Sequence, residues 1–175
     1  MIQLETARLI LRPPQREDFA AWCAWGADEE AMRHLGGVMT PPIAWRGIAL
    51  MAGSWAINGF GMLSVIEKAT GRWVGRLGPW QPEGWPGTEV GWGLVRAVWG
   101  KGYATEGATA AIDWAFDQLG WTEVIHCIVP ENTNSQAVAK RLGSAYLRDD
   151  HLPAPINAPT QLWGQTRAQW QARSR

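Results

Sequence analysis

The chain has 175 residues, and its 16 basic and 16 acidic side chains balance. That length fits one domain with a real core, and the balance argues against a broad nucleic-acid or anionic-membrane surface. Two cysteines, Cys23 and Cys127, are too few for a disulfide framework, and neither CxxC nor HExxH spacing is present, so no metal is expected.

Arg8 to Arg12 reads as a strand closed by Pro13-Pro14. Glu17 to Trp25 reads as a helix with Phe19, Trp22 and Cys23 on one side. Thr40 is placed to cap a helix with Pro41 at its first position. Ile43, Ile48, Met51 and Trp55 give that helix an apolar face. Gly61 to Glu67 and Arg72 to Leu77 flank a hairpin turn at Lys68 to Gly71. A Pro/Gly/Trp loop from Pro79 to Gly87 leads into a strand at Glu89 to Val95. The next helix reaches Leu119 and sets Ala104, Ala108, Ala111, Ile112, Ala115 and Leu119 near one face. Small residues there allow close packing on a sheet. Glu123 to Val129 is a nearly continuous apolar strand, hence central. A helix opens at Asn134 or Ser135 and ends at Gly143, a natural C-cap. Ala145 to Arg148 and Gln161 to Arg167 read as strands around a Pro-rich loop, 149–160. No repeat and no second domain is visible, so residues 1–175 are expected to form a single domain.

The most informative segment is Trp99, Gly100, Lys101, Gly102, Tyr103, Ala104, Thr105, between the strand at Glu89 to Val95 and the following helix. A glycine-rich turn in that place exposes backbone N–H groups at the positive end of the helix dipole, a seat for phosphate oxygens. Gly100 and Gly102 let an anion approach the backbone closely. The P-loop pattern does not fit, because its first glycine falls on Val95 and its hydroxyl residue on Gly102. The dinucleotide pattern G-x-G-x-x-G fails at Thr105. A pyrophosphate cradle of another type remains.

That segment, as Trp99-x-x-Gly102-x-Ala104, resembles the coenzyme A loop of the GCN5-related N-acetyltransferase superfamily, Gln/Arg-x-x-Gly-x-Gly/Ala, with Trp replacing the usual first residue. Trp-Gly-Lys-Gly-Tyr-Ala is similar to the form found in the branch that acetylates ribosomal-protein N-termini. Thr6 to Pro13 resembles that branch's first strand, Asn132-x-x-Ser135 with Lys140-Arg141-Leu142-Gly143 its second coenzyme-binding segment, and Leu162 to Trp170 its closing strand and tail. The resemblance implies a three-layer α/β sandwich. Its sheet would be mixed, mostly antiparallel and twisted, with helices on both faces and a splayed central strand pair. It implies acetyl-CoA as co-substrate and a primary amine as acceptor, either a protein N-terminus or a small amine.

The implied coenzyme contacts are Trp92, Leu94 and Val95 along the strand, the loop Trp99 to Thr105, and Asn132. The N–H of Trp92 would face the thioester oxygen. Arg96, Lys101, Lys140 and Arg141 are candidate phosphate partners or plain solvated charges. Glu89, at the strand start, is the candidate base, its pKa raised by enclosure. Many superfamily members carry a Tyr seven residues after the Asn to protonate the leaving thiolate; here that place is Ala139. Ser135 is the favoured substitute, with Tyr103 and water as others. Asn132 also suits helix capping. His126 and Cys127 lie mid-strand and read as packed residues, and His34 and His151 fall in less defined segments. Thirteen tryptophans are scattered along the chain and read as packing units, with Trp80 and Trp85 either lining the acceptor cleft or packing on the body. Exposed tryptophans leave room for a homodimer, and a reducing cytoplasm is the expected compartment. A non-catalytic acyl-CoA-binding module and an enzyme for a longer acyl group are the competing readings.

Overall fold

The computed structural model describes residues 2–173. Eight strands form one open sheet: β1 (Leu4–Glu5), β2 (Leu9–Arg12), β3 (Leu63–Glu67), β4 (Trp73–Trp80), β5 (Glu89–Leu94), β6 (Glu123–Ile128), β7 (Ala145–His151) and β8 (Pro159–Thr166). Their spatial order is β1-β2-β3-β4-β5-β6-β8-β7. All neighbours run antiparallel except β5 and β6, which are parallel. Helices α1 (Phe19–Gly26), α2 (Glu29–Met32) and α3 (Pro41–Asn58) pack with Met62, Trp73 and Trp80 on one face. On the other face, α4 (Tyr103–Gln118) packs against Leu9, Leu63, Val65, Leu77 and Val90, joined by α5 (Thr133–Arg141) and α6 (Arg167–Ala172). This is the expected mixed, mostly antiparallel sandwich. Among the described residues no helix is long and apolar enough to cross a membrane.

Several boundaries differ from the sequence reading. The two-residue β1 and the single-turn α2 were not expected. β4 runs on through Pro79 and Trp80, taking both out of the expected loop. Pro79 is tolerated because it faces Val90 at a position where β5 needs no N–H from it, and β3 has already ended at Leu63, opposite Leu77. β7 continues to His151, so the Pro-rich loop shortens to 152–158. The tail after β8 is α6, started by a Thr166/Gln169 capping box.

Small residues set the depth of α4. Gly107 lies so close to Leu77 that a Cβ there would collide with it. Ala108, Ala111, Ile112 and Ala115 are buried beside it, while Ala104 and Leu119 are only half-buried. A bulge in β4 at Val74 and Gly75 then turns Val74 and Leu77, three residues apart, to the same α4 face.

The α1 face hides one charge cluster. Asp18 is 3% exposed and accepts from Arg12 Nη1 and Nη2 (2.8 and 2.7 Å), Ser64 Oγ (2.7 Å) and the Gln15 N–H (2.9 Å). Burial opposes its ionisation, but these donors outweigh burial and hold its pKa below the usual carboxylate value. Ser64 in turn accepts from Trp73 Nε1 (3.1 Å), so the cluster ties α1 to β2, β3 and β4. Asp18→Ala strands the Arg12 guanidinium and should cost about 3–5 kcal/mol, read as a lower urea midpoint; a loss under about 1 kcal/mol would mark the pair as surface-like.

Candidate active site

The site begins where a ladder stops. β5 and β6 share only the register Glu89↔Ile125, with the Ile125 N–H donating to Thr88 C=O (2.9 Å). The next rung of a parallel ladder would run from the Cys127 N–H to Val90 C=O. Instead the Cys127 N–H donates to Glu89 Oε1 (3.2 Å), and Val90 C=O accepts from His126 Nδ1 (2.7 Å). Two side chains replace the missing bond, and beyond them the strands part. Because the Val95 N–H donates to Val74 C=O, alternation turns the main-chain groups of Trp92 and Leu94 away from β4, toward the gap. The Leu94 carbonyl is taken by Trp99 Nε1 (2.9 Å). The Trp92 N–H is left along the opening.

The loop after β5 is a 3-10 turn, Arg96–Val98, followed by two left-handed glycines, Gly100 (φ 74°) and Gly102 (φ 80°). Gly102 is the N-cap of α4, and no side chain caps that helix. The N–H groups of Tyr103, Ala104 and Thr105 stand at its open end, while the Glu106 N–H already donates to Gly102 C=O. Trp99 and Lys101 spend their N–H groups within the turn, on Arg96 and Val98 C=O. Arg8 braces the loop: it donates to Lys101 C=O (2.9 Å), pairs with Glu106 (2.6 Å) and lies 4.6 Å from the centre of the Tyr103 ring. The Tyr103 hydroxyl is turned to Glu67 (2.7 Å), away from the β5–β6 gap. Arg96 is engaged by Asp28 (2.7 Å), and Lys140 stacks over Trp163 (5.3 Å).

Across the gap, Asn132 Oδ1 accepts from the Ser135 N–H (3.1 Å), capping α5. Ser135 Oγ accepts from Trp92 Nε1 (3.2 Å), which joins α5 to β5 and leaves the hydroxyl proton free to be donated. Ala139 is fully buried with Ile128 and Trp163, and Trp92 packs on that cluster. These indoles fill the neighbourhood of the smaller side chain, a substitution that no local motif announces.

Glu89 is 6% exposed, on the α1 face of β5 with Gly91 and Gly93. Its carboxylate accepts from Trp85 Nε1 (2.6 Å) as well as from Cys127. Burial raises its pKa despite these donors and the nearby Arg76 charge. Trp85 thus packs on the body and lines the site at once, whereas Trp80 is buried in the core. Burial and the Glu89 charge push the Cys127 thiol far above its ordinary pKa, which disfavours a thiolate nucleophile.

His126 is packed in the sheet as its mid-strand place suggested, and it carries a task at the fork. It is 1% exposed and stacks on Trp92 at 4.8 Å. With Nδ1–H given to Val90 C=O, Nε2 accepts from Ser144 Oγ (3.0 Å), which accepts from Gln165 Nε2 (2.8 Å). Every member of this chain is satisfied with the imidazole neutral, and burial lowers its pKa to about 4. Between about pH 6.5 and 4 the unfolded chain binds a proton there that the folded chain does not, so stability falls as pH drops, on the order of 3 kcal/mol in all. Urea midpoints across that window should show the slope. His126→Phe should flatten it from a lower starting stability, since Val90 and Ser144 lose their partner; an unchanged slope would assign the acid sensitivity elsewhere.

A gap in a parallel strand pair, with the Trp92 main chain turned toward it and leading to a helix N-terminus that no side chain caps, belongs to a known class. The profile of the acetyltransferase (GNAT) domain matches residues 8–145, and the chain belongs to that family. An uncharacterized N-acetyltransferase, p20, of Bacillus licheniformis is 30% identical over 138 residues, 77% of this chain and 78% of that protein. A crystal structure of an acetyltransferase from Agrobacterium tumefaciens C58 superposes with TM-score 0.83 at 30% identity, covering 95% of each chain. The fold is also that of a ribosomal-protein-S5-alanine acetyltransferase from Vibrio fischeri, with TM-score 0.72 at 17% identity over 97% of this chain and 99% of that one.

Proposed function

We propose that this acetyltransferase moves the acetyl group of acetyl-CoA to a primary amine by direct attack in a ternary complex. The observation that carries the reading is the pairing of an opened β5–β6 ladder with the uncapped start of α4. The N–H groups of Tyr103, Ala104 and Thr105, with left-handed Gly102 beside them, suit a diphosphate. The Trp92 N–H suits the oxygen of a thioester lying in the gap. Acetyl-CoA supplies the activated acetyl group. Trp92 and Leu94, Trp99 to Thr105, and Asn132 form the coenzyme-facing set, and Val95, whose N–H is spent on Val74, anchors the strand behind them. Of these, Trp99 acts by tying the loop to Leu94 and Asn132 by holding α5 in place.

Glu89 takes one proton from the incoming ammonium. The freed lone pair forms the N–C bond as the C–S bond breaks, and its electrons leave with sulfur. The second nitrogen proton balances the thiolate, with Ser135 Oγ or water as carrier. Burial of Glu89 keeps its basicity useful near neutral pH. The acceptor is a protein N-terminus or a small amine, in a cytoplasmic setting. The buried Ala139 favours a second reading, a coenzyme-binding module without turnover, and free-thiol release over an amine panel separates the two. Running the panel with acetyl-, propionyl- and succinyl-CoA tests the acyl length.

Gly102→Glu should abolish coenzyme A binding by calorimetry. Gly102→Ala bears the same left-handed strain without the charge and should retain part of it; equal loss in both would remove the electrostatic reading. Glu89→Gln should lower kcat by about 10²–10⁴-fold and erase the limb on which kcat/KM rises with pH through the raised carboxyl pKa. A wild-type profile in that variant would take Glu89 out of the chemistry.

A further inference from the structure

Arg76 has no part in the steps above. It stands mid-strand in β4, directly across from Gly93, so it shares the α1 face with Glu89. A guanidinium carries five N–H donors. Among the described residues, this one makes no hydrogen bond and no ion pair; the Trp25 ring lies 5.6 Å away, Ser64 stands opposite on β3, and the Glu89 charge is close enough to favour its charged form. Packing strips water from it and holds its pKa below the usual arginine value, yet it stays charged and is half-buried rather than sealed. Trp25, beside it, is 3% exposed, and its Nε1–H also has no acceptor. The other orphan indole, Trp22 Nε1, faces Gly47 of α3.

Unmet donors, one of them charged, are costly in a dry setting. On the β5 side the neighbours carry no side chains of their own: Gly93 is opposite Arg76, with Gly91 diagonal, and Trp25, Leu35, Met62 and Glu89 lean over them, while Ser64 stands opposite Arg76 on β3. The Glu89 carboxylate leans over Gly91, with Oε1 3.0 Å from where a Cβ would sit there. A cation and a carboxylate thus share one stretch of sheet without pairing to each other.

We propose that Arg76, with the Trp25 N–H, binds the carboxylate of a small amino-carboxylate acceptor whose amine is presented to Glu89. This rests on Glu89 being the base and narrows the acceptor from any primary amine to one class. The guanidinium fork matches a carboxylate in a way a single carbonyl does not. Charge points the same way. Once Glu89 has taken the ammonium proton it is neutral, and Arg76 is left without an opposing charge unless the acceptor brings one. A peptide N-terminus offers only a neutral carbonyl at that place.

The test compares L-amino acids with their C-terminal amides and with dipeptides, by thiol release from acetyl-CoA. The wild type should favour the free acids by about 10- to 100-fold in kcat/KM, mainly through KM, the range of one charge-assisted pair. Arg76→Gln should bring the acid-to-amide ratio close to one. Arg76→Lys, which keeps charge and stem without the fork, should fall between, and it reports if Arg76→Gln fails to fold. Equal use of acids and amides by the wild type, or equal loss on both in the variants, overturns the assignment while leaving acetyl transfer intact. If no amine is acetylated, the enzymatic reading falls. Calorimetry of coenzyme A-saturated protein with the same amino acids then decides: binding lost in the variants upholds Arg76, and no binding to the wild type overturns it.

Discussion

The whole site depends on one hydrogen bond that the sheet does not make. A parallel pair with an unbroken ladder between β5 and β6 would spend the Cys127 N–H on Val90 C=O and the Trp92 N–H on Cys127 C=O. Glu89 and His126 take the first two instead. Strand separation normally exposes unsatisfied main-chain groups, a cost that would close the gap again. Here the groups at the fork are satisfied by side chains, so the opening is stable without a ligand. The Trp92 N–H, one step further along, is turned toward the gap.

The two side chains at the fork differ in what burial does to them. His126 is buried with a complete set of partners, Val90, Ser144 and Gln165, and is held neutral. Its work is mechanical: it fills the fork and supports the Trp92 ring. Glu89 is buried with donors on one side and glycine on the other, and its pKa is raised. One fork therefore holds a fixed wedge on the α4 side and a protonatable carboxylate on the other. In the proposed reaction, coenzyme and acceptor approach from opposite faces and meet at the same rung.

Much of this was legible in the chain. The strand, glycine turn and small-residue helix from Glu89 to Leu119 follow local rules, since left-handed glycines, an uncapped helix start and a close-packed face each leave a sequence mark. Asn132 also announced its capping role. What was not legible depends on pairing between distant strands. Nothing near His126 says that its ring stands where a backbone N–H would have been. Nothing near Arg76 says that its neighbours across the sheet are glycines. Pro79 and Trp80 were read as loop because Pro and Gly mark turns locally, and the register with β5 overrode that. The exposed β7 lacks alternation, so its length is set by β8 rather than by its own pattern.

The bare strip of β5 has an evolutionary corollary. Gly91 and Gly93 offer no side chains, and their space is filled from above by Met62, Trp25 and Leu35. Leu35 lies outside any strand, and Trp25 belongs to α1. Changing those residues would reshape the surface above β5 while leaving every rung of the scaffold untouched. Lineages built on this plan are thus free to vary a peripheral helix-and-turn layer over the strand while the hydrogen-bonded scaffold beneath it stays constant.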